Sequence, residues 1–365
     1  MVGLEPPPTD QKSRTYRRDA EFAEFRFMNI FLCVLCASVV KFLPNTRMPK
    51  SLTLIAVVLA LNFVISAGCA QVSREQDPQA EIGFIDIKSD MKLRRMIVRN
   101  SRPKGVVLFL HGFPETLYAW KRISVILARD YEVHAFDWPG YGLSSRPPAD
   151  RFSYAPKDYA RVLKEYITKS GIDTSKLVIY ATDIGALPAL LIALDEANIA
   201  KKMIVGDFAP FDRPQYMHAN LQSLKSKPSS DHTRAHMNNT RDEILENAFR
   251  RGLSKDEQFE LSQEFRDDMF TAWSQDNMTS ADAFYHYYSH FTRDQDYFES
   301  NLNRLKTPVT VIWGEIDFYI NKEMGVEFAN KANTELVVLS GLGHYPHLQS
   351  PTRTIDEIRA AFDNR

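Results

Sequence analysis

The run Leu177-Val178-Ile179-Tyr180-Ala181-Thr182-Asp183-Ile184-Gly185 decides how the rest of the chain is read. Its first four residues are bulky or β-branched and predict a short strand buried on both faces. A helix, expected over 185–197, follows at once. Such an abrupt strand-to-helix turn lifts one side chain out of the sheet on a strained backbone. Large side chains two positions either side would clash, and those positions hold Ala181 and Gly185. The small-x-nucleophile-x-small pattern therefore singles out Asp183, where serine is commoner. The helix N-terminus behind it favours negative charge, which suits a carboxylate. No G-x-S-x-G occurs in the chain, which disfavours a serine nucleophile.

Outward from this turn the pattern repeats. Apolar runs at 106–110, 132–136, 203–205, 309–313 and 336–339 alternate with helical stretches at 154–169, 321–331 and 352–363. Gly83–Ile87 and Leu93–Val98 predict an opening hairpin. Buried strands alternating with helices imply an α/β sandwich with a mostly parallel sheet. Residues 211–300 break the alternation, with Glu243–Arg250 and Lys255–Phe270 reading as helices. Open α/β sheets bind ligands at the carboxyl ends of their strands, so this insertion is expected to be a helical cap there. The organisation expected is a core of 81–210 and 301–365, a cap of 211–300 and an N-terminal targeting or membrane segment of 1–70.

Other loops after strands carry chemistry. His111-Gly112-Phe113-Pro114-Glu115 follows one strand, and Asp137-Trp138-Pro139-Gly140-Tyr141-Gly142-Leu143-Ser144-Ser145 the next. Trp313-Gly314-Glu315-Ile316-Asp317 and Gly341-Leu342-Gly343-His344 end the two last strands. The order nucleophile, acid, histidine gives Asp183, Asp317 and His344. Glu315 is the rival acid, His347 reads as a structural neighbour of His344, and Glu115 as a brace for its own loop.

These motifs resemble the epoxide hydrolase and haloalkane dehalogenase branch of the α/β-hydrolase fold over residues 81–365. The resemblance implies an α/β-hydrolase fold with a helical cap insertion. It implies that Asp183 attacks a carbon electrophile to form an alkyl-enzyme ester, which a His344-activated water hydrolyses. The backbone N–H groups of Phe113 and Ile184 are then the oxyanion donors. It implies no metal or organic cofactor and a small-molecule substrate, an epoxide or a halogenated organic compound.

Dehalogenases of this branch hold the departing halide with a tryptophan after the nucleophile. Here that residue is Ile184, and Phe113 follows His111-Gly112, so neither side chain can donate. Halide would have to be held from the cap, where Trp273 is the one tryptophan. Epoxide hydrolases use cap tyrosines as proton donors. Phe284-Tyr285 resembles the pair that carries one of these, so Tyr285 is the expected acid, with Tyr216 as a second substrate-binding tyrosine. The leading expectation is an epoxide hydrolase-like enzyme, with haloalkane or haloacetate dehalogenase as the alternative. A reading of another class is a non-catalytic envelope protein that binds a ligand under the cap.

Composition sets outer limits. The 365 residues are 44% hydrophobic and 25% charged with a formal net charge of −1, so no global field recruits nucleic acid or anionic lipid. The three cysteines, Cys33, Cys36 and Cys69, all lie near the N-terminus, so neither a disulfide framework nor a cysteine nucleophile serves the catalytic region. Met28 to Val40 is a short apolar run. Arg47 and Lys50, the apolar stretch Leu52 to Gly68 and the small residues Ser66-Ala67-Gly68-Cys69-Ala70 follow the order of an export signal. The segment resembles a bacterial lipoprotein signal with Cys69 as the lipidated residue; ordinary cleavage and an uncleaved anchor are the alternatives. Met48 stands where such a signal begins, so translation is expected to start there. A mature chain beginning before Met48 would reject that. The protein is accordingly expected in the cell envelope, exported or anchored, touching membrane only through this segment.

Overall fold

The computed structural model describes residues 78–363. The apolar runs at 28–40 and 52–68, Met48 and Cys69 lie outside them, and with them the expectations of a signal, a lipid anchor and a start at Met48. Among the described residues no helix is long and apolar enough to cross a membrane.

Eight strands form one sheet: β1 Ala80–Lys88, β2 Met91–Val98, β3 Val106–Leu110, β4 Glu132–Phe136, β5 Leu177–Thr182, β6 Lys202–Gly206, β7 Val309–Gly314 and β8 Glu335–Leu339. Their spatial order is β1-β2-β4-β3-β5-β6-β7-β8. Strand β2 pairs antiparallel with both β1 and β4, and β3 to β8 are mutually parallel. The apolar runs mark the parallel strands because helices cover both faces: every residue of β5 is buried. Helices α1 Lys121–Leu127, α2 Pro156–Lys169 and α3 Ala186–Asp195 follow β3, β4 and β5. Nine residues of α3, Ala186 to Leu194, are buried, which is why it reads as apolar all round rather than striped.

Between β6 and β7 the chain forms helices α4 Ala219–Ser223, α5 Ser229–Asn239, α6 Arg241–Asn247, α7 Gln263–Thr271, α8 Ser280–Ser289 and α9 Phe291–Ser300. The helix expected over 255–270 starts only at Gln263, because the Ser262 side chain accepts the Phe265 N–H and caps it there. A ribbon of two-residue strands, Ser274–Gln275 with Met278–Thr279, interrupts the helices. Thr279 and Asp282 then form a reciprocal capping box that starts α8. The helical segment is tied to the sheet by buried charge. Arg94 of β2 donates from Nη1 and Nη2 to both Asp268 oxygens of α7, at 2.7 and 2.8 Å. Helices α10 Glu323–Ala332, α11 Pro346–Gln349 and α12 Pro351–Phe362 complete the core.

Candidate active site

Asp183 sits directly after β5 with φ of 48°, a left-handed conformation that a non-glycine residue adopts at a cost. The small neighbours have a steric reason. A Cβ on Gly185 would lie 3.0 Å from both Cβ and O of Leu110, and one on Gly112 only 2.6 Å from the Asp183 Cβ. The loop after β3 thus passes close enough for the Phe113 N–H to donate to Asp183 Oδ2 at 2.9 Å.

That loop is braced from several sides. His111 Nε2 accepts the Trp138 N–H, so its proton is on Nδ1, which donates to the Gly112 carbonyl at 2.7 Å. Glu115 accepts the Gly112 N–H at 2.8 Å through Oε2 and meets His347 Nε2 at 2.6 Å through Oε1. Burial favours the neutral Glu115 acid, but His347 and the Gly112 N–H outweigh it and hold the carboxyl below its ordinary range. The Tyr345 hydroxyl donates to the Phe113 carbonyl at 2.9 Å.

His344 Nε2 lies 3.8 Å from Asp183 Oδ2, and its Nδ1 is 2.8 Å from Asp317 Oδ2. The other Asp317 oxygen accepts the N–H groups of Tyr319 and Ile320 at 2.8 and 3.0 Å, which fixes the carboxylate for the histidine. Glu315 is turned away, onto Ser340 and Gly341. Burial alone would discharge His344; the charges of Asp317 and Asp183 and their hydrogen bonds prevail and raise its pKa well above the ordinary value. A carboxylate held by a backbone donor beside such an imidazole can attack a carbon electrophile and have the resulting ester hydrolysed.

Sequence reasoning missed Asp207, which follows β6 with φ of 51°. Its Oδ1 accepts the Gly314 N–H at 2.8 Å, while Oδ2 is buried without a partner. Burial first, and Asp317 second, push its pKa well above the usual carboxylate range. The signal was present, an acidic residue directly after a buried strand, but it reads equally as a turn.

A cavity of about 370 Å³ opens above Asp183 and His344, lined by Phe113, Phe284, Tyr319 and Tyr345 and, from the helical segment, by His218, His232, His236, Glu243 and Arg251. Tyr285, the expected acid, stands off it: its hydroxyl donates to Asp231 of α5 at 2.9 Å, and the ring is not part of the cavity wall. Trp273 is buried behind Phe113, ring centres 6.0 Å apart, and does not reach the cavity. Tyr216 lies off the cavity in a single turn whose carbonyl accepts the Asn321 N–H. Tyr287 and Tyr288 of α8 come closer. The Tyr287 hydroxyl donates to the Ile184 carbonyl at 3.2 Å. Tyr288 is likewise absent from that wall but lines a separate, much smaller pocket that also touches Asp183, and its hydroxyl has no hydrogen-bond partner among the described residues. Burial, then the Asp183 charge, push the Tyr288 phenol well above its usual pKa, so it keeps its proton.

Comparisons with known proteins agree with this architecture. The chain is 30% identical to mouse epoxide hydrolase 4 over 177 residues, covering 48% of this chain and 46% of that protein. It is 33% identical to a fluoroacetate dehalogenase of a Burkholderia species over 116 residues, covering 31% and 37%. The match thus spans less than half the length of either relative. The crystal structure of Cfl2 from Burkholderia cenocepacia superposes with a TM-score of 0.66 at 19% identity, covering 79% of this chain and 97% of that one. The family model for the alpha/beta hydrolase fold matches residues 105–351, about two thirds of the sequence, and the chain belongs to that family.

Proposed function

We propose that this protein is a hydrolase that opens small epoxides through an ester on Asp183. The observation that carries the reading is the Asp183 carboxylate, with Oδ2 on the Phe113 N–H and His344 beside it. Oδ1, free of that bond, attacks an epoxide carbon, and the carbon–oxygen bond of the ring breaks. The departing oxygen takes a proton from a phenol. Tyr288 suits this role better than Tyr285, whose hydroxyl is engaged by Asp231. The ester carbonyl keeps its oxygen at Phe113, where the backbone N–H groups of Phe113 and Ile184 stabilise the oxyanion when water adds. His344 accepts the proton of that water, and Asp317 holds the imidazolium. On collapse the imidazolium gives its proton to the leaving alkoxide, and the carboxylic acid left at Asp183 returns a proton to the phenolate, so the diol departs and the carboxylate is restored.

Alkylation also removes the charge of Asp183, one of the causes that raise the His344 pKa. The histidine thus becomes a free base more readily once the ester exists. Halide displacement by the same carboxylate is the second reading, favoured by the similarity to a fluoroacetate dehalogenase. Against it, the one tryptophan of the helical segment stands off the cavity.

The test is mass spectrometry of a His344→Gln variant incubated with styrene oxide or a haloacetate, with diol and halide followed in the wild type. An alkyl adduct on the Asp183 peptide and diol from the wild type support the reading. Halide without diol selects the second reading, and an unmodified Asp183 with every electrophile rejects both. We also propose that the enzyme acts in the cell envelope, from the basic, apolar and small-residue order between Arg47 and Ala70. The N-terminal mass of the native protein tests it.

A further inference from the structure

The cavity above Asp183 is not uniformly apolar. Its wall on the helical segment carries one guanidinium and three imidazoles, Arg251, His218, His232 and His236. His232 and His236 stand one turn apart on α5 and so share a face. Among the described residues no three His, Cys, Asp or Glu side chains converge as metal ligands.

Arg251 is the informative member. Its Nη2 donates to both oxygens of Glu243, at 2.6 and 2.9 Å. Nε and Nη1 have no partner among the described residues, which leaves three N–H donors of a cavity-lining guanidinium unused. His218 adds a fixed donor. Its Nδ1 accepts the Asn220 N–H at 3.2 Å, so the neutral ring carries its proton on Nε2. Burial, then the Arg251 charge, lower its pKa and keep it neutral. Tyr319 lines the same cavity; burial first raises its phenol pKa, and the Arg251 charge opposes that rise. The Tyr319 and His344 ring centres are 5.0 Å apart.

We propose that Arg251, with His218 beside it, binds an anionic group of the substrate, so that the enzyme acts on small electrophiles bearing a carboxylate. The substrate lies with its reacting carbon at Asp183 and its carboxylate at the spare Arg251 donors. A cavity of about 370 Å³ is at the small end of ligand sites, which suits one aromatic ring or a short chain between the two groups. Glu243 neutralises part of the guanidinium charge and so sets how strongly the anion is held. The assignment rests on the function proposed above only for the reacting end; binding at Arg251 is separately measurable.

The experiment has two arms. In the first, calorimetry compares unreactive phenylacetate with phenylacetamide on the wild type, Arg251→Met, Arg251→Lys and Glu243→Gln. A charge-assisted pair predicts that the wild type prefers phenylacetate by about tenfold or more. Arg251→Met should abolish the preference and Arg251→Lys restore part of it. Glu243→Gln should strengthen phenylacetate binding several-fold, a gain that misfolding cannot produce. In the second arm, kcat/KM is measured for 3-phenylglycidate and its amide, and the acid should be preferred. Equal binding of phenylacetate and phenylacetamide, or a preference that survives Arg251→Met, overturns the inference. Equal turnover of acid and amide overturns it while leaving the epoxide chemistry standing. A preference in binding with no turnover of either epoxide leaves the anion site standing and rejects the chemistry.

Discussion

Glu115 Oε1 and His347 Nε2 meet at 2.6 Å with both side chains fully buried, joining the loop that carries Phe113 to the turn that carries His344. The same carboxylate holds the Gly112 N–H, so one buried contact braces both the backbone donor at Asp183 and the segment that carries His344.

Removing one partner of that pair leaves the other buried without compensation, which typically costs about 3–5 kcal/mol. His347→Ala should therefore lower urea-unfolding stability by several kcal/mol, and the double variant Glu115→Leu/His347→Leu by less. The pH dependence has a definite sign. Glu115 is held below its ordinary range, so its contribution is present above the unfolded value near 4.5 and is lost as pH falls through the folded value. Glu115→Gln should flatten the acid limb of the stability curve. Equal single- and double-variant losses would count against the pair as a unit.

The raised pKa of His344 separates the two chemical steps. Ester formation needs the Asp183 carboxylate and a phenol proton but no free imidazole, so single-turnover alkylation should not follow the titration of His344. Ester hydrolysis needs neutral His344 and should rise with pH through a value above the ordinary 6.5. Quenched-flow mass spectrometry of the adduct checks both. A hydrolysis rate flat from pH 6 to 9 would remove His344 from the role of base.

Tyr285→Phe and Tyr288→Phe should part company. Loss of a proton donor costs about 100-fold or more in an acid-assisted step, so Tyr288→Phe should slow epoxide opening by that order. Tyr285→Phe breaks a half-exposed contact with Asp231 and should leave kcat within about threefold. The reverse result would restore Tyr285 as the acid.

These tyrosines show where sequence reading stops. The parallel strands were legible because burial on both faces leaves no polar residue to interrupt them, as in β5. The elbow was legible because sterics demand a small residue at Gly185. The helical segment was not. Helix α5 buries only Ser230 and Met237 and so has no apolar stripe to announce it. Tyr285 and Tyr288 lie three residues apart on one helix, and their surroundings differ with what stands opposite: Asp231 for one, a small pocket shared with Asp183 for the other. Asp207 was hidden for another reason, since its environment is made by β7 and the Asp317 turn, far away in sequence.

Asp207 yields the last prediction. A carboxyl whose pKa rises on folding destabilises the native state as pH climbs above the unfolded value near 3.8, because only the unfolded chain can ionise it freely. Asp207→Asn keeps the acceptor for the Gly314 N–H and removes the proton that must be retained. The variant should match the wild type in stability near pH 4 and exceed it increasingly as the pH rises toward 8. Asp317 is a main reason that Asp207 stays neutral, second only to burial. In Asp317→Asn that repulsion disappears, Asp207 ionises more readily, and its charge, already felt by His344, replaces part of the lost field. Asp317→Asn should retain measurable ester hydrolysis, and Asp317→Asn/Asp207→Asn should lose it. Equal rates in the single and double variants would confine Asp207 to holding Gly314.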